Sequence, residues 1–332
     1  MAEQKLSVGR ENAEKALIEF CNGKSHVCLV TDGAAYKLCG AEVSISASMR
    51  RCVKPPAITH LIVHNSNPKV ETVQALLNEV KGPVDAFIAV GGGTTIDTAK
   101  LLNLAMVSGM TVKELLTLEI APDKLLPCMV FPTTAGTGAE ATRFAVCYDG
   151  EEKYSIDFEA IRPSDVALVP EFSATLPTYQ KLSTNFDAYA QAVESLWAKG
   201  ATEESREYAN RAIALMKADS WPEASYWAGR AIDISRTTAA HAFSYYLTSH
   251  YGIPHGHAVY MVFEYICRNN NHPEWIKHVP GLKSLHELAI EKGMEWNKMV
   301  DELFAHVNLK RLGNNPVAVR KESFLPLANS HG

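Results

Sequence analysis

The chain has 332 residues, 47% hydrophobic and 21% charged, with a formal net charge of -5. That length supports about two hydrophobic cores. Acidic and basic residues are interspersed, which argues against nucleic acid as a partner, because phosphate tracking needs a concentrated basic face. The charged N-terminus Met-Ala-Glu-Gln-Lys lacks the apolar core of a signal peptide, and no apolar run approaches the roughly 20 residues of a bilayer helix. Seven cysteines at irregular spacing, without a CxxC pair, read as reduced, buried thiols. A cytoplasmic protein without a membrane partner is expected.

In chain order, the first half alternates short apolar runs with helical patterns, the signature of strands joined by crossover helices. Strands are predicted at 27–31, 60–63 and 86–90, and a helix at 70–80 from Val73, Leu76, Leu77 and Val80. The runs 128–131 and 166–169 extend the same sheet. After Pro177 strand-type runs vanish, and apolar residues three and four apart predict helices at 187–199, 203–217, 221–249 and 255–268, with one or two more across 282–309. The division is an α/β domain at 1–177 and an all-helical domain at 178–332. The two are expected to pack tightly with the site between them.

Two loops in the first half suit phosphate. Gly91, Gly92 and Gly93, then Thr94 and Asp97, follow the third strand directly and open a helix. Glycines let a backbone approach a diphosphate, and the N-H groups of a helix start aim at its oxygens. The spacing is not GxGxxG, and a tight structural turn is the alternative. Pro132 to Glu140 follows the next strand and carries Thr133, Thr134 and Thr137 among small residues. It suits ligand contact better than a plain connector. Asp32 ends the first strand, where a carboxylate bonds a ribose diol and repels a 2′-phosphate. It favours NADH over NADPH, with a simple turn aspartate before Gly33 as the alternative.

Ligand-type side chains cluster in the second half. Asp187 and Gln191 are four apart and share one helix face, and His241 and His255 follow. A carboxylate, an amide and two imidazoles suit one divalent ion, although glutamine is a weak neutral ligand. Taken singly, Asp187 reads more readily as the cap of a helix beginning near Thr184 to Phe186, and each histidine as structural.

These pieces together resemble the iron-containing (group III) alcohol dehydrogenase family. The resemblance lies in the GGG-x-x-x-D-x-A-K run at 91–100, PTTAGTG at 132–138, the stretch 162–177 and Pro254-His255-Gly256, and covers most of 25–270. It implies a dehydroquinate synthase-like fold, an α/β nucleotide-binding domain before an all-helical domain holding one Fe2+ or Zn2+. The implied ligands are Asp187, the residue four later, His241 and His255. The second is histidine in the family and Gln191 here, which either ligates the metal or supports a neighbour. Segments at 67–71, 187–195, 231–241 and 255–259 are similar to phosphonoacetaldehyde reductases.

The resemblance implies reduction of a small aldehyde to a primary alcohol, phosphonoacetaldehyde to 2-hydroxyethylphosphonate in that branch. Hydride comes from NADH, or NADPH as the alternative, and the metal acts as Lewis acid on the aldehyde oxygen. Lys153 resembles a family lysine near the cofactor. Arg143 suits bidentate phosphonate contact or is a surface residue, and His257 donates a proton or is a polar wall residue beside a water route. Two other readings stand: a dehydrogenase of another small aldehyde or polyol, and a nucleotide-binding relic without metal. Gln191 and apparent deletions near Lys217 to Trp221 and in the C-terminal helices favour the relic. A homodimer is compatible with all three.

Overall fold

The computed structural model describes residues 4–65 and 67–324 and divides into two compact units, Met1–Leu176 and Pro177–Gly332. The first unit contains strands β1 (Lys5–Val8), β2 (His26–Thr31), β3 (Ala57–Ile62), β4 (Ala86–Gly91), β5 (Cys128–Pro132), β6 (Phe144–Asp149), β7 (Glu152–Asp157) and β8 (Asp165–Leu168). Its helices are α1 (Arg10–Cys21), α2 (Ala34–Leu38), α3 (Ala41–Arg50), α4 (Val70–Glu79), α5 (Gly93–Ser108), α6 (Val112–Leu115) and α7 (Pro170–Ala174). Six strands form one parallel sheet in the order β1-β8-β5-β4-β2-β3, and β6 and β7 form an antiparallel hairpin.

Every residue of β4 is buried, as a central parallel strand covered on both faces requires. Leu17, Phe20, Ile45 and Met49 of α1 and α3 pack with Val27, Leu29, Ile88 and Phe131 of the sheet. The chain leaves β2 outward to β3 and then returns to β4 on the other side of β2. β2 and β4 therefore flank the point where the winding reverses, the place where open α/β sheets bind ligands beyond their carboxyl ends. Thr31 pairs with Val90, and Gly91 with Pro132, so Asp32, the glycine triplet and Thr133 emerge along one edge.

The second unit is helical: α8 (Thr178–Trp197), α9 (Glu203–Lys217), α10 (Trp221–Ser235), α11 (Ala239–Tyr251), α12 (His255–Asn269), and the shorter α13 (Leu285–Glu291), α14 (Trp296–Ala305) and α15 (Leu309–Gly313). Phe186, Val193, Trp197, Phe243, Leu247, Val262 and Phe263 belong to its core. Two expectations are corrected. The first long helix begins at Thr178, not near residue 184, so Asp187 lies mid-helix and is no cap. The helix predicted over 221–249 is two, broken where Arg236 takes a left-handed φ of 62°. Asn314 satisfies the break by donating to the carbonyls of Ser235 and Thr237. All seven cysteines are free and buried, and no described helix is long and apolar enough to cross a membrane.

Candidate metal centre and nucleotide cradle

The metal-type cluster lies within the helical unit. Asp187, Gln191 and Glu194 fall at i, i+4 and i+7 along α8, so one stripe of that helix is polar, and all three are buried. α11 contributes His241 and α12 contributes His255. Ligand atoms of Asp187, His241 and His255 lie within 4.8 Å of one another. Asp187 Oδ1 is 3.1 Å from His241 Nε2 and 3.9 Å from His255 Nε2. His255 keeps 31% of its side chain exposed while Asp187 and His241 keep 3% and 4%, so the cluster has one accessible side.

Gly256 explains how α12 comes so close. A Cβ there would overlap the Ser183 carbonyl oxygen and sit 2.9 Å from Asp187 Cβ. Only glycine lets the start of α12 rest on the backbone of α8, and that contact carries His255 to Asp187.

Glu194 fixes the other histidine. Its carboxylate accepts from Thr238 N (3.0 Å), Thr238 Oγ1 (2.7 Å), Ala240 N (2.8 Å) and His241 Nδ1 (2.5 Å). It thereby caps the start of α11 from a remote helix and assigns the Nδ1 proton of His241. Nε2 is the nitrogen turned toward Asp187, as a metal-ligating imidazole with a carboxylate behind it requires. Burial opposes charge on His241, but Glu194 and Asp187 together push its pKa up to about 9. Burial alone would raise Asp187; His255, His241 and a hydrogen bond from Gln191 hold its carboxyl below the usual range. Two imidazoles and an ionised carboxylate converging at ligand distance fit a borderline divalent ion. Glu194 was not singled out from sequence, although its place two turns after Asp187 was a usable signal.

His257 does not join this cluster. Residues two apart on a helix face different ways. Its Nδ1 is 2.7 Å from Tyr179 Oη and its Nε2 is 2.9 Å from the Lys283 carbonyl. The carbonyl must accept from Nε2-H, so Nδ1 accepts from the tyrosine hydroxyl. Both ring nitrogens expected to move a proton are committed to packing.

The nucleotide-type loops lie within the first unit. Gly92 is the cap of α5, and a Cβ on Gly93 would stand 2.6 Å from Thr137 Oγ1. The threonine loop thus packs directly on the helix start. Thr134 meets Gly92 in the same way, 3.2 Å from where a Cβ would be. Thr133 donates its N-H to Gly91 O at 3.0 Å, while its buried hydroxyl has no hydrogen-bond partner. A buried orphan hydroxyl beside a helix N-terminus fits a site completed by a polar ligand.

The remaining expected residues have protein partners. Asp32 Oδ1 accepts from Tyr36 N at 3.1 Å, which makes it a cap for α2, and burial raises its pKa. Asp97 accepts from Val146 N at 3.0 Å, and burial pushes it up to about 6 against the pull of Lys100 and Lys153. Lys153, on β7, is therefore near Asp97. Thr94 is in the first turn of α5. Arg143 pairs with Asp157 (3.1 Å) and Glu159 (3.3 Å).

A parallel sheet with a glycine- and threonine-lined carboxyl edge, followed by a helical unit with a buried Asp-His-His cluster, defines the class of an α/β nucleotide-type domain joined to an all-helical one. The sequence profile described as "Iron-containing alcohol dehydrogenase" matches residues 4–170, half of the chain. The chain belongs to the iron-containing alcohol dehydrogenase family. It is 31% identical over 236 residues to the phosphonoacetaldehyde reductase of Streptomyces viridochromogenes, covering 64% of this chain and 60% of that protein. It is 27% identical to the NAD-dependent methanol dehydrogenase of Bacillus methanolicus, covering 56% and 53%. The chain thus spans between about half and 60% of the length of these curated relatives. The crystal structure of sulfoacetaldehyde reductase from Bifidobacterium kashiwanohense in complex with NAD+ superposes with a TM-score of 0.78 at 25% identity, covering 97% of this chain and 95% of that one.

Proposed function

We propose that the chain is a metal-dependent, NAD(P)H-linked oxidoreductase that reduces a small aldehyde to a primary alcohol. The observation that carries this is the approach of Asp187, His241 and His255 to within 4.8 Å in a member of this family. Asp187, His241 and His255 hold the divalent ion, Fe2+ or Zn2+. Gln191 orients Asp187 through their hydrogen bond, which leaves its amide oxygen, the atom able to ligate, uninvolved in that bond. When bound, such an ion supplies Lewis acidity at the aldehyde oxygen, and the reduced nicotinamide supplies the hydride. The glycine start of α5 and Thr133, Thr134 and Thr137 bind the diphosphate, Asp97 and Lys153 flank it, and Asp32 faces the adenosine ribose. Glu194 keeps His241 in the tautomer that offers Nε2. Water protonates the product oxygen, since His257 is held by Tyr179 and Lys283.

Phosphonoacetaldehyde is the substrate favoured by the relative at 31% identity. A neutral aldehyde is the second reading, favoured because the one arginine expected to hold the phosphonate, Arg143, already pairs with two carboxylates. Metal analysis of purified protein, with NADH and NADPH oxidation measured on phosphonoacetaldehyde, sulfoacetaldehyde and propanal, separates the readings. Preference for the phosphonate, with a Michaelis constant that rises in Arg143→Ala for that substrate alone, supports the first. Equal turnover of propanal supports the second. Neither metal nor turnover supports a nucleotide-binding relic, and a strong NADPH preference removes the role given to Asp32.

A further inference from the structure

Lys100 closes the glycine motif yet has no task in the reaction above. Its side chain is 0% exposed. The ammonium lies 2.7 Å from Ala139 O, 2.8 Å from Thr142 O and 2.7 Å from Phe144 O, with Thr142 Oγ1 at 3.5 Å. A lysine has three N-H donors, and three short bonds reach carbonyls of one six-residue stretch. Burying an ammonium is costly unless it is hydrogen-bonded and balanced. The balance comes from Asp97 Oδ1 at 3.9 Å, one turn earlier on α5, whose other oxygen accepts from Val146 N. An apolar side chain of equal length would fill the same space and leave the inward-turned carbonyls unsatisfied.

The stapled stretch begins directly after Gly138, where the threonine loop ends, and runs into β6. Lys100 belongs to the helix whose start forms the other half of the cradle. We propose that Lys100 is a positioning residue for the cofactor: by tying residues 139–144 to α5, it holds the threonine loop against the glycine start of that helix before any nucleotide arrives. The inference rests on the NAD(P)H reading above. A loop ordered by folding binds more tightly, because the ordering entropy is not subtracted from the binding free energy.

The test compares the full-length protein with Lys100→Met and Lys100→Ala. Readouts are NADH affinity by fluorescence titration, metal affinity by chelator competition and backbone amide exchange. The expected result is NADH affinity at least about tenfold weaker in both variants, with metal affinity and the Michaelis constant for aldehyde unchanged. Added propylamine, and not propanol, restores NADH binding in Lys100→Ala. Unchanged NADH affinity in Lys100→Met, or equal rescue by the alcohol, overturns the proposal. Exchange in the wild type decides the matter should neither variant fold. Residues 133–144 protected to the level of α5 without NADH support it, and free exchange there until NADH is added overturns it. A wild type that binds no NADH counts against the cofactor reading, while its exchange pattern still judges the staple.

Discussion

The helical unit and the α/β unit build their sites by different means. In the first, three side chains from three helices converge on one point, and buried contacts at Glu194 and Gly256 set their positions. In the second, backbone N-H groups and small hydroxyls line the carboxyl edge of a sheet, and two loops hold one another in shape. Side-chain convergence fails sharply when one helix moves, because coordination has a fixed geometry. A backbone cradle distributes its contacts and loses affinity by degrees. The contrast follows from which atoms do the binding.

Gly256→Ala should break it most severely. The added methyl meets a backbone carbonyl that has no rotamer to yield, so α12 must leave α8 and take His255 with it. Metal content should collapse and activity fall by about a hundredfold or more, measured by elemental analysis and NADH oxidation. Normal metal content would show that α8 itself can give way.

Glu194→Gln keeps size and removes the all-acceptor character. Each oxygen accepts from two of the four donors, so two donors then face an NH2 group, and metal affinity should drop about 10- to 100-fold in chelator competition. Unweakened metal binding would mean that the helix backbone alone orients His241. In the other unit, Gly93→Ala meets the mobile end of a threonine. Overpacking of about 1–3 kcal/mol should weaken NADH about tenfold and leave metal affinity untouched. Loss of both together would dissolve the contrast between the units.

The smallest effect is the pH dependence that Asp97 contributes. Burial moves its pKa from 3.8 to about 6, so between those values the folded chain holds a proton that the unfolded chain has released. Its contribution to stability therefore falls as pH rises from about 4 through about 6. Asp97→Asn still accepts from Val146 N and removes that slope. The drop in Tm from pH 4 to pH 7 should shrink by a few degrees, at about 2–4 °C per kcal/mol. An unchanged drop would place the carboxylate in a wetter setting than its packing implies.

Strands β2, β4, β5 and β8 were legible because their apolar runs are almost wholly buried and end in turn residues, and the more exposed β3 was read from its run at 60–63. β1 and the β6-β7 hairpin were not. β1 is four residues long, too short for periodicity to register; β6 alternates in burial although its residues are apolar from Phe144 to Tyr148, and β7 buries only Ile156 fully. The cluster of Asp187, His241 and His255 was legible as residue types at a helical and a motif spacing. Their supports were hidden. Glu194 reaches Thr238, Ala240 and His241 more than 40 residues away, and no local pattern announces a cap supplied from another helix. The break at Arg236 to Thr238 was missed for the same reason, since apolar spacing runs through it. Lys100 and His257 show the converse: polar residues inside motifs whose visible partners are structural.

Glu194 carries one more consequence. The same four lone pairs start a helix and choose the proton position on a ligand, so a mutation there is punished twice, once in folding and once in chemistry. Gln191 acts on Asp187 within the same helix, so a change there is felt first at that carboxylate. A substitution at Glu194 instead disturbs the start of α11 and the ring of His241 in one stroke.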